Sequence, residues 1–192
     1  MIRPIILAST SSYRRTLLDR LHIPFSVLKP EFDEAVASSM PIEALVRANT
    51  LGKGREVHSR RPDALVIASD QMAACEGRVL GKAGDAEAAI RQLQWLSGRK
   101  ADFMTGLALI DADAEHYEQE TFRVYFRQLS REEISTYVEL EKPWDCAGSF
   151  KAEGLGISLF ERLEGDDPTA LMGLPLIRLC AYLQPLTLLA KT

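Results

Sequence analysis

The sequence predicts an α/β protein built on a largely buried mixed sheet. Three observations carry that expectation. Short apolar runs alternate with segments of helical period along the chain. The runs at residues 5–8 and 64–68 are apolar without interruption, as strands covered on both faces require. Polar side chains collect where strands give way to helices, the place where open α/β sheets gather ligands. Composition agrees: of 192 residues 46% are hydrophobic and 26% charged, which excludes disorder and collagen-like repeats. A chain of this length buries roughly 70% of its unfolded surface, so it needs no disulfide or zinc staple.

Each element has its own signal. Pro4-Ile5-Ile6-Leu7-Ala8 suits a strand, and four hydroxyl residues, Ser9-Thr10-Ser11-Ser12, follow it. Tyr13, Leu17, Leu18 and Leu21 then share a helical face, with Ser11 or Ser12 as the cap. Phe25-Ser26-Val27-Leu28 reads as a second strand ending in the acidic turn Glu31-Phe32-Asp33-Glu34. Pro41 opens a helix that runs to about Ser59. Residues 64–68 form a central strand, expected to stop at Ser69-Asp70-Gln71. Ala86, Ala89, Ile90, Leu93 and Leu96 stripe a helix capped by Asp85 and stopped by Gly98.

Residues 103–110 and 122–126 read as long paired strands around a polar turn at 111–118. Ser130-x-x-Glu133 is a capping box before a helix reaching about Glu139. After a loop over 143–156, Ile157-Ser158-Leu159-Phe160 is strand-like. Leu176, Leu179, Cys180 and Leu183 mark the final helix. The apolar stretch at 171–190 is broken by Pro175, Arg178, Gln184 and Pro185, so it reads as a buried helix with a tail. A membrane span needs ~20 apolar residues, and the run at 5–8 is too short for a signal-peptide core. Cys75, Cys146 and Cys180 are odd in number and lack metal-ligand spacing, as expected of free thiols in a cytoplasmic protein.

The 23 Lys and Arg against 27 Asp and Glu give a net charge of −4, which argues against a duplex-DNA binder, and the chain lacks the basic stripe and interleaved aromatics of a nucleic-acid-binding module. An anionic ligand must therefore be met by a local cluster of cations. Three strand ends carry the polar load. Ser9, Arg14 and Arg15 combine hydroxyl, helix N-terminal amides and guanidinium groups, which suit phosphate oxygens or, equally, a cap followed by solvated arginines. Asp70, between Ser69 and Gln71, is either a turn-forming cap or a functional acid. Gly81-Lys82 offers a point charge for phosphate; the surrounding segment at 77–83 is one residue short of a P-loop and has Ala83 where a Ser or Thr is needed. Asp33 and Glu34 could ligate a hard divalent cation together with Asp70, or form a solvated turn. His22, His58 and His116 have no metal-ligand spacing, and Gly173-Leu174-Pro175-Leu176 reads as a tight turn feeding a helix.

Taken in order along nearly the whole chain, these pieces resemble one family. They are the segment at 7–15, Asp33-Glu34, Ser69-Asp70-Gln71, Gly81-Lys82, Leu96-Ser97-Gly98, Cys146-Ala147-Gly148-Ser149-Phe150, Glu164-Gly165-Asp166 and Gly173-Leu174-Pro175-Leu176. The sequence resembles the Maf nucleoside triphosphate pyrophosphatases and, more narrowly, their branch assigned to 7-methyl-GTP. The resemblance implies a single such domain over residues 1–192, of α/β/α layering, with an extended mixed sheet, two lobes and a cleft between them. It implies a cytoplasmic hydrolase, dependent on magnesium or manganese, that cuts a nucleoside triphosphate between its α and β phosphates. Such enzymes remove modified nucleotides before they enter nucleic acids, and homodimers occur among them; neither a nucleic acid nor a membrane is an expected partner.

Carried over position by position, the resemblance makes Asp70 the proton acceptor and a metal ligand shared with Glu34. Ser9, Arg14, Arg15, Lys53 and Lys82 become phosphate-binding residues. Tyr13, Gln71 and Glu153 become the positions that select the base. Tyr13 stands where tryptophan is common in the branch, Ala83 where proline is common, and Gly52 and Gly54 where alanines usually flank the lysine. The alternatives are a dTTP and UTP pyrophosphatase, or a nucleotide-binding regulator of septum formation that hydrolyses nothing.

Overall fold

The apolar run near the N-terminus forms strand β1 (Ile5–Ala8) in the computed structural model, which describes residues 3–34 and 40–183. Helix α1 (Ser12–Asp19) follows, and the Ser11 side chain accepts the Arg14 backbone N–H at its N-terminus. Next come β2 (Ser26–Leu28), α2 (Ile42–Arg60), β3 (Leu65–Cys75), β4 (Arg78–Leu80), α3 (Ala86–Leu96), β5 (Lys100–Ile110) and β6 (Glu115–Phe126). Helix α4 (Arg131–Glu141), a 3-10 turn (Leu155–Leu159), β7 (Phe160–Glu164), α5 (Pro168–Leu171) and α6 (Leu176–Leu183) complete the order. The tail expected after the last helix lies outside the described residues. No helix among the described residues is long and apolar enough to cross a membrane.

The strands hydrogen-bond in the order β2-β1-β3-β5-β6-β7, with β4 paired to β3. β1 runs parallel to both β2 and β3, whereas β3–β4 and β6–β7 are antiparallel, so the sheet is mixed. Contacts divide the chain into two compact units. The first comprises Met1–Gln71, Met104–Glu120 and Asp167–Thr192; the second comprises Met72–Phe103 and Thr121–Asp166.

In the first unit, strand alternation sorts the core into two layers. Leu7, Leu65 and Ile67 face one way and cluster with Leu17 and Leu18 of α1 and Leu176, Leu179 and Leu183 of α6. Ile6, Ala8, Val66 and Ala68 face the other way and cluster with Leu51 and Val57 of α2. Helices thus cover both faces of β1 and β3, the α/β/α layering expected. The second unit is built around four rings: Phe103, Phe126, Phe150 and Phe160 meet edge-to-face at centroid separations of 4.9–5.7 Å.

Several elements differ from the sequence reading. β3 does not stop at Ser69-Asp70-Gln71 but continues to Cys75, because each polar side chain finds a partner within the fold. It then turns through Glu76 and Gly77, both at positive φ, into β4, which the sequence did not reveal. The turn between β5 and β6 is shorter than 111–118: the Asp111 carboxylate accepts the backbone N–H groups of Asp113 and Ala114, and β6 already begins at Glu115. Residues 155–159 form a 3-10 turn rather than a strand. Their buried positions, Gly156 and Leu159, are three apart, whereas a strand buries every second residue.

The capping box of α4 forms as the spacing predicts: Glu133 N–H donates to Ser130 Oγ, and Ser130 N–H donates to the Glu133 carboxylate at 2.7 Å. That backbone bond, then Arg127 and the Ser130 side chain, pull the Glu133 carboxyl down to about 2. A carboxyl held below its unfolded value of 4.5 stabilises the fold fully above that value, and the contribution is lost as pH falls through about 2. Glu133→Gln should therefore flatten the acid limb of the unfolding profile between those two pH values. An acid limb identical to the parent's, followed by circular dichroism, would show that the bond contributes nothing.

Candidate active site

Three consecutive residues of β3 carry the polar load, and the period of two sends them to opposite faces. Asp70 shares the face of Val66 and Ala68, which α2 covers. Ser69 and Gln71 fall to the sides from which the segment around α5 and α6 approaches. Ser69 Oγ lies 2.7 Å from the Gly106 carbonyl and 2.8 Å from the Gly173 carbonyl, and a hydroxyl there shares one proton between them.

Asp70 is 6% exposed and meets Lys53 of α2. The buried stripe of that helix includes Val46, Asn49, Thr50, Lys53, Gly54 and Val57, so Lys53 occupies a core-facing position. Its ammonium lies 2.7 Å from Asp70 Oδ1 and 2.7 Å from Glu34 Oε1. The glycines on either side explain why the helix can approach so closely. A Cβ at Gly54 would come within 2.7 Å of Ile110 Cδ1 and 3.1 Å of Ala68 Cβ, and one at Gly52 would enter the ring of Phe32. Phe32 lying against the helix at Gly52 brings the chain two residues later, Glu34, over Lys53.

Two carboxylates thus converge on one cation. That donor set suits a hard divalent ion, since magnesium takes one or two protein carboxylates and completes its shell with phosphate oxygens and water. Among the described residues no group of three or more His, Cys, Asp or Glu side chains is placed to hold a metal ion.

Arg14, on α1, is half-buried, and its Nε–H donates to the Gly173 carbonyl at 2.8 Å. Its Nη1 lies 3.5 Å from Ser9 Oγ, which also accepts the Ser11 backbone N–H at 3.1 Å. Burial pushes the guanidinium below its ordinary pKa, and the charges of Asp70 and Glu34 pull it back up. Arg14 thus sits within electrostatic reach of both carboxylates. The Gln71 amide nitrogen lies 2.8 Å from Thr105 Oγ1, 2.8 Å from the Ala170 carbonyl and 3.1 Å from the Leu171 carbonyl. Backbone carbonyls only accept, so the amide orientation is determined: the NH2 group faces the α5 segment and the carbonyl oxygen is the remaining end.

The first unit therefore gathers Ser9, Arg14, Lys53, Asp70, Glu34 and Gln71, with Tyr13 half-buried and Arg15 exposed on the same helix as Arg14. Lys82 and Glu153 belong to the second unit. Lys82 is exposed and forms a bridge with Ala147, and Glu153 is exposed in the turn before the 3-10 segment. Sequence reasoning passed over Tyr117, whose hydroxyl burial pushes up to about 12, with Arg47 opposing the rise and Asp70 adding to it. It reads the Gly173 segment only as a tight turn feeding a helix, whereas the carbonyl there holds Arg14. No composition signal marks a backbone carbonyl; only the Gly-Leu-Pro-Leu letters pointed to the place.

The family model described as "Maf-like protein" matches residues 4–186. A protein of Idiomarina loihiensis named 7-methyl-GTP pyrophosphatase is 50% identical over 188 residues, covering 96% of this chain and 95% of its own. One of Pseudomonas aeruginosa with the same name is 49% identical over 177 residues, covering 91% and 92%. In fold, the chain is similar to the structure of the Staphylococcus aureus Ham1 protein, at a TM-score of 0.53 and 16% identity, covering 95% of this chain and 99% of that one.

Proposed function

The chain belongs to the Maf family of hydrolases in nucleotide metabolism, and on that premise we propose that it cleaves 7-methyl-GTP between the α and β phosphates. The products are the nucleoside monophosphate and pyrophosphate. The observation that carries the reading is the meeting of Asp70, Glu34 and Lys53, each contact at 2.7 Å, within electrostatic reach of Arg14.

In this reading Asp70 accepts the proton of the attacking water. It is buried within a strand and held by Lys53 at 2.7 Å, so the base is placed before substrate arrives. Arg14 and Ser9 bind phosphate oxygens, Arg14 by paired N–H donors and Ser9 by its hydroxyl, next to the unpaired amides at the start of α1. Lys53 neutralises charge that develops on the leaving pyrophosphate, and Arg15 and Lys82 add to the field around the triphosphate. Catalysis of phosphoryl transfer is chiefly positioning and electrostatics, which is what these groups supply. Glu34 and Asp70 would hold a magnesium or manganese ion, which acidifies water and offsets phosphate charge when bound.

Base choice falls to Tyr13, Gln71 and Glu153. A guanine methylated at N7 carries positive charge on its imidazole part, so stacking on Tyr13 gains cation–π attraction. The Glu153 carboxylate can accept from guanine N1 and N2 together. The Gln71 carbonyl oxygen, the end of the amide left by the α5 segment, adds a fixed acceptor. The names of the relatives support the same substrate.

The test is a panel of triphosphates mixed with pure protein and magnesium, with the phosphate product identified. Pyrophosphate released fastest from 7-methyl-GTP is the expected result. Preference for dTTP and UTP would overturn the part given to Glu153. Orthophosphate in place of pyrophosphate would overturn cleavage at the α–β bond.

A further inference from the structure

Asp167 is 1% exposed, and among the described residues it forms no ion pair. A carboxylate buried on such terms is costly unless neutral donors satisfy it, and here they do. Its Oδ1 accepts the Thr169 N–H at 2.9 Å and the Thr169 hydroxyl at 2.5 Å, and its Oδ2 accepts the Ile177 N–H at 2.7 Å. The Thr169 hydroxyl in turn accepts the Leu176 N–H at 2.8 Å. The two side chains therefore tie the start of α5 to the start of α6 and close the segment between them into a loop.

The carbonyls of that loop are the ones that hold the candidate site. Ala170 O accepts from Gln71 and from Thr105 Oγ1, Leu171 O accepts from Gln71, and Gly173 O accepts from Arg14 and Ser69. Gly173 has φ +103°, a conformation that side chains rarely adopt, so its carbonyl direction depends on the closed loop. We infer that Asp167 and Thr169 form a positioning clip that sets the Gln71 amide and the Arg14 guanidinium through these carbonyls, and so sets base discrimination. The inference rests on the reading of Gln71 as a base-selecting residue.

The physical consequence is specific. With its NH2 group held by carbonyls, Gln71 can present only its carbonyl oxygen, and set beside the ring nitrogen of the base edge that oxygen repels a lone pair. Adenine N1 and cytosine N3 carry a lone pair there; guanine N1 carries a hydrogen. Loosening the clip lets the amide rotate and offer its donor, so discrimination falls. Asp167→Asn puts an N–H against one of the backbone N–H groups the carboxylate accepts, and Thr169→Val removes the hydroxyl without changing shape. Thr169→Ser keeps the hydroxyl.

The experiment measures kcat/KM for 7-methyl-GTP, ATP and CTP in the parent and the three variants. The ratio of 7-methyl-GTP to ATP or CTP does not depend on the fraction of protein folded, so a destabilised variant still reports. Asp167→Asn and Thr169→Val should lower that ratio by about tenfold, the order of one hydrogen-bond-scale interaction, and Thr169→Ser should restore it. Ratios within twofold of the parent in both variants would overturn the clip. Loss of folded protein in both would also overturn it, by making the pair a purely structural tie. A parent that hydrolyses none of the three overturns the 7-methyl-GTP reading on which the inference rests, a separate outcome.

Discussion

Asp70→Asn should lower kcat for 7-methyl-GTP by about a thousandfold, within the 10²–10⁴ range of a positioned general base. The amide keeps the size of the carboxylate and can still accept from Lys53, so the geometry of β3 is retained while the proton acceptor is lost. The variant also removes one of the two anions on a lysine that is 8% exposed. Breaking a buried pair is severe when a charge is left alone, but Glu34 stays at 2.7 Å from the same ammonium. Stability should therefore fall by only about 1–2 kcal/mol, the order of one charge-assisted hydrogen bond, which moves Tm by a few degrees. Initial rates under saturating substrate and a thermal melt check both halves. Turnover within tenfold of the parent would remove Asp70 from the role of base. A collapse of the melt with no folded protein would mean that the pair serves the fold first.

The second large effect is at Arg14. Arg14→Ala should reduce kcat/KM by about a hundredfold, the scale seen when one donor to developing charge is removed. Arg14→Lys should recover little of it. A lysine keeps the positive charge but has no Nε–H for the Gly173 carbonyl and no paired donors for a phosphate. The comparison separates charge from placement. If the effect lies in KM alone, Arg14 binds substrate and transition state equally; if kcat falls in step with kcat/KM, its contacts strengthen as charge moves onto the leaving group. Full recovery by lysine would show that the hold of Gly173 on the guanidinium is dispensable.

Local chemistry made much of this fold readable from the letters. The strand at 5–8, the Ser11 cap, the stripe of α3, the capping box of α4 and the start of α6 each depend on neighbours within a few residues, and each formed where its signal stood. β3 was cut short because polar letters normally end a buried strand. Here Lys53, seventeen residues away, and the carbonyls of Gly106 and Gly173, thirty-seven and one hundred and four residues on, satisfy them. The turn at 155–159 escapes the sequence because four residues, Ile157-Ser158-Leu159-Phe160, are too few to show whether their period is two or three.

The family was legible in the sequence alone, since Asp70, Glu34 and Arg14 stand in motifs whose order along the chain points to it; Lys53 stands in none of those motifs. The convergence of these residues was decided by the tertiary structure. The alternation of β3 turns Asp70 toward α2, the glycines of α2 let Lys53 approach, and the loop clipped by Asp167 brings three backbone carbonyls to Ser69, Gln71 and Arg14. Such contacts join residues far apart in the chain through groups that every residue possesses, so no pattern of side-chain letters could encode them.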